Sequence, residues 1–286
     1  MRKIILIVCI IILLSSSLTF ADENKVVSLG KDLTLKQMDE ILDLFKAKED
    51  IKVIYVTNDE EVKYLGKFIK KSVIGTKAIS CAYVEKLRDN GIEVETYNIS
   101  YITKEMYKNA LITAGIKDAK IKVAAPFEVS GTAALTGIIK AFEDVSNTNI
   151  SEEKKNIANK EIANTYNLSK KVGKKEASNL VRVIKEKVID RDLKKEEDIK
   201  RVVIEISNDL DISLSEKEIN NIVDLMEDIS KLNLNIDEIK KQLKGVSDKL
   251  NELNEDNEEV KSILNKILDI LRKLFAFLTD LFTNSD

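Results

Sequence analysis

The chain has 286 residues, 33% of them charged and 5% aromatic, a formal net charge of −3, and neither histidine nor tryptophan. Without imidazole there is no Ser-His-Asp or Cys-His catalysis and no histidine-held zinc site. No P-loop and no calcium-loop motif occurs, so no catalytic residue, metal or cofactor is expected. Lysines interspersed on a mildly acidic chain make no basic stripe, which argues against nucleic acid as a partner.

Residues 1–21 read as an export signal. Arg2 and Lys3 are its basic start, Ile4 to Leu14 its apolar centre, too short to span a bilayer comfortably, and Thr19-Phe20-Ala21 its cleavage site. Cleavage near Ala21 predicts a secreted or cell-surface protein; an uncleaved N-terminal anchor is the alternative. Cys9 leaves with the signal, and Cys81 is predicted to be a buried, inert thiol with no disulfide to form.

Seven of the nine glycines lie between Gly30 and Gly137, and six of the seven tyrosines precede residue 110. Turn-makers and sheet-formers thus concentrate in a head domain, residues 22–146, and helices follow. A helix is predicted over Thr34 to Ala47, from Leu35, Met38, Ile41, Leu42 and Phe45. A strand over Ile51 to Thr57 comes next, then a helix opened by Asn58 or Asp59 with Glu60 and Glu61 in its first turn. Strands are predicted over Lys77 to Lys86 and Ile92 to Ile99, joined by a turn at Arg88-Asp89-Asn90-Gly91. Thr103 caps a helix that Gly115 stops; Ala119 to Ala125 is the last strand and Gly131 to Val145 the last helix of the head. The middle of this order is the split β-α-β-β-α-β arrangement, with an α/β sheet of another strand order as its rival. The fold class is α+β.

A helical bundle is predicted over 147–231. Ser151 and the Ser215–Glu218 capping box start helices and Gly173 stops one, while Leu180, Val181, Ile184 and Val188 line one apolar face. Over 232–286 Ile236, Leu243, Leu250, Asn257, Leu264, Leu271 and Leu278 recur every seven residues, and Ile239 to Leu281 follow three residues behind. That is a coiled-coil seam, which predicts a homo-oligomer; a helical hairpin turning at Asn254 to Asn257 is the alternative. The aromatic flanks at Phe275, Phe277 and Phe282 also suit a membrane surface, with self-association preferred.

Gly30-Lys31-Asp32-Leu33-Thr34, Tyr64-Leu65-Gly66, Ile74-Gly75-Thr76, Asn109 to Gly115 and Val129-Ser130-Gly131-Thr132-Ala133-Ala134-Leu135 stand in order along the head. On these residues the chain resembles the YpuA-like family, domain of unknown function number 1002, over about Val26 to Ile189. The resemblance implies an exported protein of Gram-positive, spore-forming bacteria and transfers no catalytic residue.

The stretch Ala119 to Ala141 holds the single proline, Pro126, and reads as strand, tight loop, helix. Ser130, Gly131 and Thr132 form a helix start whose backbone N–H groups can hold an anion. The bland reading is a capped helix whose small face, Ser130, Ala134, Gly137 and Ala141, packs on the sheet. Glu128, in the same loop, is a general-base candidate; Asn109 and Thr113, four apart on one helix, are candidate pocket residues. The expectation is an envelope binding or structural protein, a recognition head on a helical stalk, meeting wall polymer, surface protein or membrane. A histidine-free hydrolase or transferase using Ser130, Thr132 and Glu128 is the alternative.

Overall fold

The computed structural model describes residues 24–232 and 234–242. The predicted export signal lies outside the described residues, as does the heptad seam beyond Gln242.

Five strands form one mixed sheet: β1 (Lys25–Gly30), β2 (Lys52–Val56), β3 (Cys81–Lys86), β4 (Ile92–Ile99) and β5 (Ala119–Val129), in the order β2-β1-β3-β5-β4. β1 pairs parallel with β2 and β4 with β5, while β3 runs antiparallel between β1 and β5. The α+β class therefore holds, with the rival strand order. A split β-α-β keeps a strand between its two parallel members, whereas here both parallel pairs are adjacent. The source of the difference is β1, which the sequence reading leaves unassigned; it supplies β2 with its neighbour and puts β3 at the centre.

Two faces follow from the period-two alternation of the strands. Val27 and Leu29 of β1 with Cys81 and Tyr83 of β3 face α1 (Leu35–Phe45), which contributes Ile41 and Phe45. Cys81 is a buried free thiol, and burial pushes it up to about 12. Val26, Ala82, Val84, Ile121 and Val123 face the other way, onto α2 (Asn58–Leu65), α4 (Lys104–Thr113) and α5 (Thr132–Ser146). The short α3 (Lys71–Ile74) fills the approach to β3. Gly137 brings α5 close to the sheet: a Cβ there would stand 2.0 Å from Ser28 Oγ of β1.

The bundle comprises α6 (Glu152–Val172), α7 (Lys174–Asp190), α8 (Glu196–Asp209) and α9 (Glu216–Ser230). Its starts and stops are as read: Ser151 and Ser215 accept from N3 amides, and Gly173 ends α6 at φ 94°. Leu180, Val181, Ile184, Val188, Ile199, Val202, Val203 and Ile206 are buried together in its core. Asn147 ends α5 in the left-handed region, φ 50°. The apolar core continues past it, since Ile150, Ala158, Ile162 and Ala163 belong to the cluster built on the sheet.

Residues 236–242 are helical. Ile239 is buried in the main core, and Gln242 takes the Asp118 amide at 2.9 Å and returns a hydrogen bond to Asp118 Oδ1 at 3.3 Å. Lys240–Asp190 and Lys117–Glu238, each at 2.9 Å, flank that clasp.

Candidate functional site

β1, β2 and β5 run parallel, so their C-terminal ends share one edge of the sheet, and the loop entering antiparallel β3 arrives there too. Such edges are where side chains from several loops converge in α/β sheets. The loops lace together: the Lys31 amide bonds Val56 O at 2.8 Å and the Asp32 amide bonds Ala78 O at 3.1 Å. Asp32 Oδ2 in turn accepts the Ala78 amide at 2.7 Å. Between them opens a cleft of about 440 Å³, with Asp32, Glu61, Lys77, Ser80, Ser130 and Thr132 on its walls and Phe127 at its rim.

Phe127 is there because β5 leaves its ladder. Ala124 pairs with Tyr97, but the next pairing is Val129 with Ile99, so residues 125–128 bulge. Asn98 holds the bulge, with φ 58° and its side-chain amide on Ala125 O at 2.9 Å. Pro126, which has no amide hydrogen, sits in that bulge, where the ladder asks for none. The strand thus runs four residues beyond its predicted end at Ala125.

The predicted helix start is present but is built differently. Gly131, not Ser130, is the N-cap, at φ 95°, with no side-chain cap. A Cβ on Gly131 would stand 2.3 Å from the Tyr107 hydroxyl, which donates to Gly131 O at 2.7 Å. Ser80 Oγ accepts the Ala134 amide at 2.9 Å and so serves the helix start from another loop.

The hydroxyls of Ser130 and Thr132 form a chain that ends on a carboxylate. Thr132 Oγ1 donates to Glu61 Oε1 at 2.7 Å and lies 2.9 Å from Ser130 Oγ. Glu61 Oε2 accepts from Asn58 Nδ2 at 3.2 Å. Glu61 and Thr132 are each 1% exposed, and Ser130 is half-buried. Burial pushes the Glu61 carboxyl up to about 7; the bonds from Thr132 and Asn58 oppose the rise and the Asp32 charge adds to it. The buried Tyr107 phenol is likewise pushed well above its ordinary range, by desolvation and then by Glu61.

Glu61 is the cleft residue the sequence reading missed. It counts as a first-turn acid, like Glu60, which does close a capping box with Thr57. One residue further on is about 100° around the helix. Glu61 precedes Leu65 by four, and these are the two buried residues of the helix, on the side that faces the core. That spacing was the available signal. Glu128, the predicted base, is exposed, and it does not line the cleft.

Asn109 and Thr113 belong elsewhere. Thr113 Oγ1 donates to Glu161 Oε2 at 2.5 Å, and Lys185 Nζ reaches Glu161 Oε1 at 2.8 Å, Thr113 Oγ1 at 3.0 Å and Asn109 O at 2.8 Å. Asn109 Nδ2 donates to Ser178 O at 3.0 Å. This sealed cluster ties α4 to α6 and α7 and opens on no part of the cleft. Thr113 bonds across to another helix, not to its own.

Two carboxylates face the cleft, which turns the expectation of a bound anion towards a cation or a hydroxyl donor. Glu61, bonded to the Thr132 hydroxyl, puts a carboxyl beside the helix start. Among the described residues no group of three or more metal-ligating side chains occurs, and no helix is long and apolar enough to cross a membrane.

A mixed five-stranded head with a carboxylate–hydroxyl cleft, backed by a four-helix bundle, is the class of protein these features define. The family model described as "Protein of unknown function (DUF1002)" matches residues 29–246, and the chain belongs to that family. It is similar to the "Uncharacterized protein YpuA" of Bacillus subtilis (strain 168), at 36% identity over 290 residues, covering 99% of this chain and all of that protein. No solved structure matches. Of the segments that carry the resemblance, 30–34, 74–76 and 129–135 meet at the cleft, through Asp32, Thr34, Ile74, Gly75, Thr76, Val129, Ser130 and Thr132.

Proposed function

We propose that this is an exported binding protein of the cell envelope, whose head recognises a polar wall polymer in the cleft. The observation that carries the reading is the cleft itself, where a buried carboxylate and two hydroxyls stand beside a Phe127 ring that is 50% exposed. Carboxylates and hydroxyls suit a ligand rich in hydroxyl or ammonium groups, and an exposed ring suits the apolar face of a sugar. The export signal read from residues 1–21 supports a place outside the membrane, on the cell surface or in the medium. Ile239 of the first heptad is buried in the chain's own core, so the support for self-association comes from the heptads from Leu243 onward, which would multiply weak contacts to a repetitive polymer.

Retention on purified cell walls tests the reading, with protein cleaved after Ala21 and with the same protein carrying Ser130→Leu, which fills the cleft. Retention of the first and at least tenfold weaker retention of the second is the expected result. Equal retention, or retention only on lipid vesicles or on surface protein, overturns it.

A further inference from the structure

The hydroxyl chain in the cleft has a direction. Thr132 has one hydroxyl hydrogen, and it is spent on Glu61 at 2.7 Å. When Glu61 is ionised, the 2.9 Å contact between Thr132 and Ser130 therefore runs the other way, with Ser130 as donor. Ser130 Oγ therefore gives its hydrogen to the buried side and keeps its lone pairs for the cleft it lines. Two groups that are each 1% exposed, hydrogen-bonded in series to one half-buried hydroxyl, are placed as the acceptors an activated nucleophile needs. The backbone agrees. Ser130 follows the last residue of β5, and Gly131 at φ 95° turns the chain at once into α5. Apart from the Ala134 amide, held by Ser80, the N–H groups of that first turn have no acceptor within the helix, and such groups are the donors an oxyanion uses. Asp32 lines the same cleft, and among the described residues no lysine or arginine pairs with it or with Glu61.

We propose that Ser130 is an acyl-transfer nucleophile, with Thr132 and Glu61 as positioning residues that take its proton and Asp32 as the acceptor for an ammonium group on the acyl part of an ester substrate. The proposal rests on the cleft being the ligand site. Ser130 Oγ bonds to the acyl carbon as its proton passes to Thr132 Oγ1, and the Thr132 proton passes to Glu61 Oε1. The tetrahedral intermediate expels the alkoxide, which takes a proton back along the same chain. Water then attacks the Ser130 ester by the same relay, releasing the carboxylic acid and restoring the three side chains.

Alanine p-nitrophenyl ester and p-nitrophenyl propionate differ in the ammonium group alone and serve as probes for the full chain. The expected result is an acyl adduct on Ser130 by peptide mass spectrometry, faster with the alanyl ester. Ser130→Ala abolishes it, Thr132→Val and Glu61→Gln slow it at least tenfold while remaining folded, and Asp32→Asn removes the preference for the alanyl ester. With the propionyl ester the wild-type rate rises between pH 5 and 8 as Glu61 ionises among Asp32, Tyr107 and Lys77, and Glu61→Gln flattens the profile; a merely structural Glu61 leaves its shape unchanged. No adduct, an adduct elsewhere, or undiminished labelling of the folded Thr132→Val protein overturns the proposal. Wall retention without labelling ends the chemistry alone, and labelling without wall retention ends the choice of polymer alone.

Discussion

Two buried glutamates make the most instructive pair in the molecule. Glu61 and Glu161 are each 1% exposed, and each takes a hydrogen bond from a threonine on another helix, Thr132 or Thr113. Glu161 also has Lys185, itself 0% exposed, at 2.8 Å. Glu61 has Asn58 and a cleft. Once desolvated, a carboxylate needs a cation or a proton. The bundle side supplies the cation from its own chain, and the cluster closes into a structural clasp. On the cleft side Lys77 lines the walls but among the described residues no cation pairs with Glu61, so the carboxyl is held near the point where a proton, or a cationic group from outside, decides its state.

Removing the cation from the sealed cluster breaks the comparison most strongly. Lys185→Met leaves the buried Glu161 carboxyl without its cation and costs about 3–5 kcal/mol in urea unfolding, whereas Lys185→Met with Glu161→Leu recovers most of it. The cleft side is sharpened by pH. An acid whose folded value is raised, here to about 7 from 4.5, binds more protons folded than unfolded between those values. Stability from this group is fully present below pH 4.5 and is lost as pH rises through 7, by on the order of 3 kcal/mol. Glu61→Gln removes that slope, and thermal unfolding at pH 5 and pH 8 measures it.

A smaller effect comes from the turn that aims the hydroxyls. Gly131→Ala puts a Cβ at φ 95° against the Tyr107 hydroxyl and costs about 2 kcal/mol, visible as a lowered urea midpoint. Thr132→Val takes one donor from Glu61 and costs about 1 kcal/mol, more at pH 8 than at pH 5, because the ionised carboxyl depends on that donor more than the neutral acid does. Glu128→Ala changes stability by less than about 0.5 kcal/mol and leaves wall retention unchanged, which separates the loop surface from the cleft beneath it.

Which of these features the sequence disclosed follows from how local their causes are. Ile92–Ile99 was legible to the residue, as were the Ser151 and Ser215 starts and the Gly173 stop, because alternation and caps act within a few residues. β1 was not legible. Five buried residues beside a presumed cleavage site carry little signal of their own, and their role as the strand between β2 and β3 is a property of the sheet. The site divides likewise. Ser130, Gly131 and Thr132 were visible as a strand–turn–helix junction. Their partner Glu61 lies 71 positions away from Thr132, and Ser80 lies 54 from Ala134, distances at which no window of sequence couples residues. Asn109 and Thr113 were correctly grouped on one helix face, but that face meets a neighbouring helix, which only packing decides.

The clasp between Gln242 and Asp118 fixes an orientation. Asp118 precedes the first residue of β5, and the cleft lies just past its last, 11 residues on. At ~3.3 Å per residue the two are roughly 30 Å apart along one strand. Gln242 thus sits at the end of the sheet opposite the opening. A contact made at this clasp therefore leaves the mouth of the cleft, at the far end of the sheet, open, like a cup held by its base.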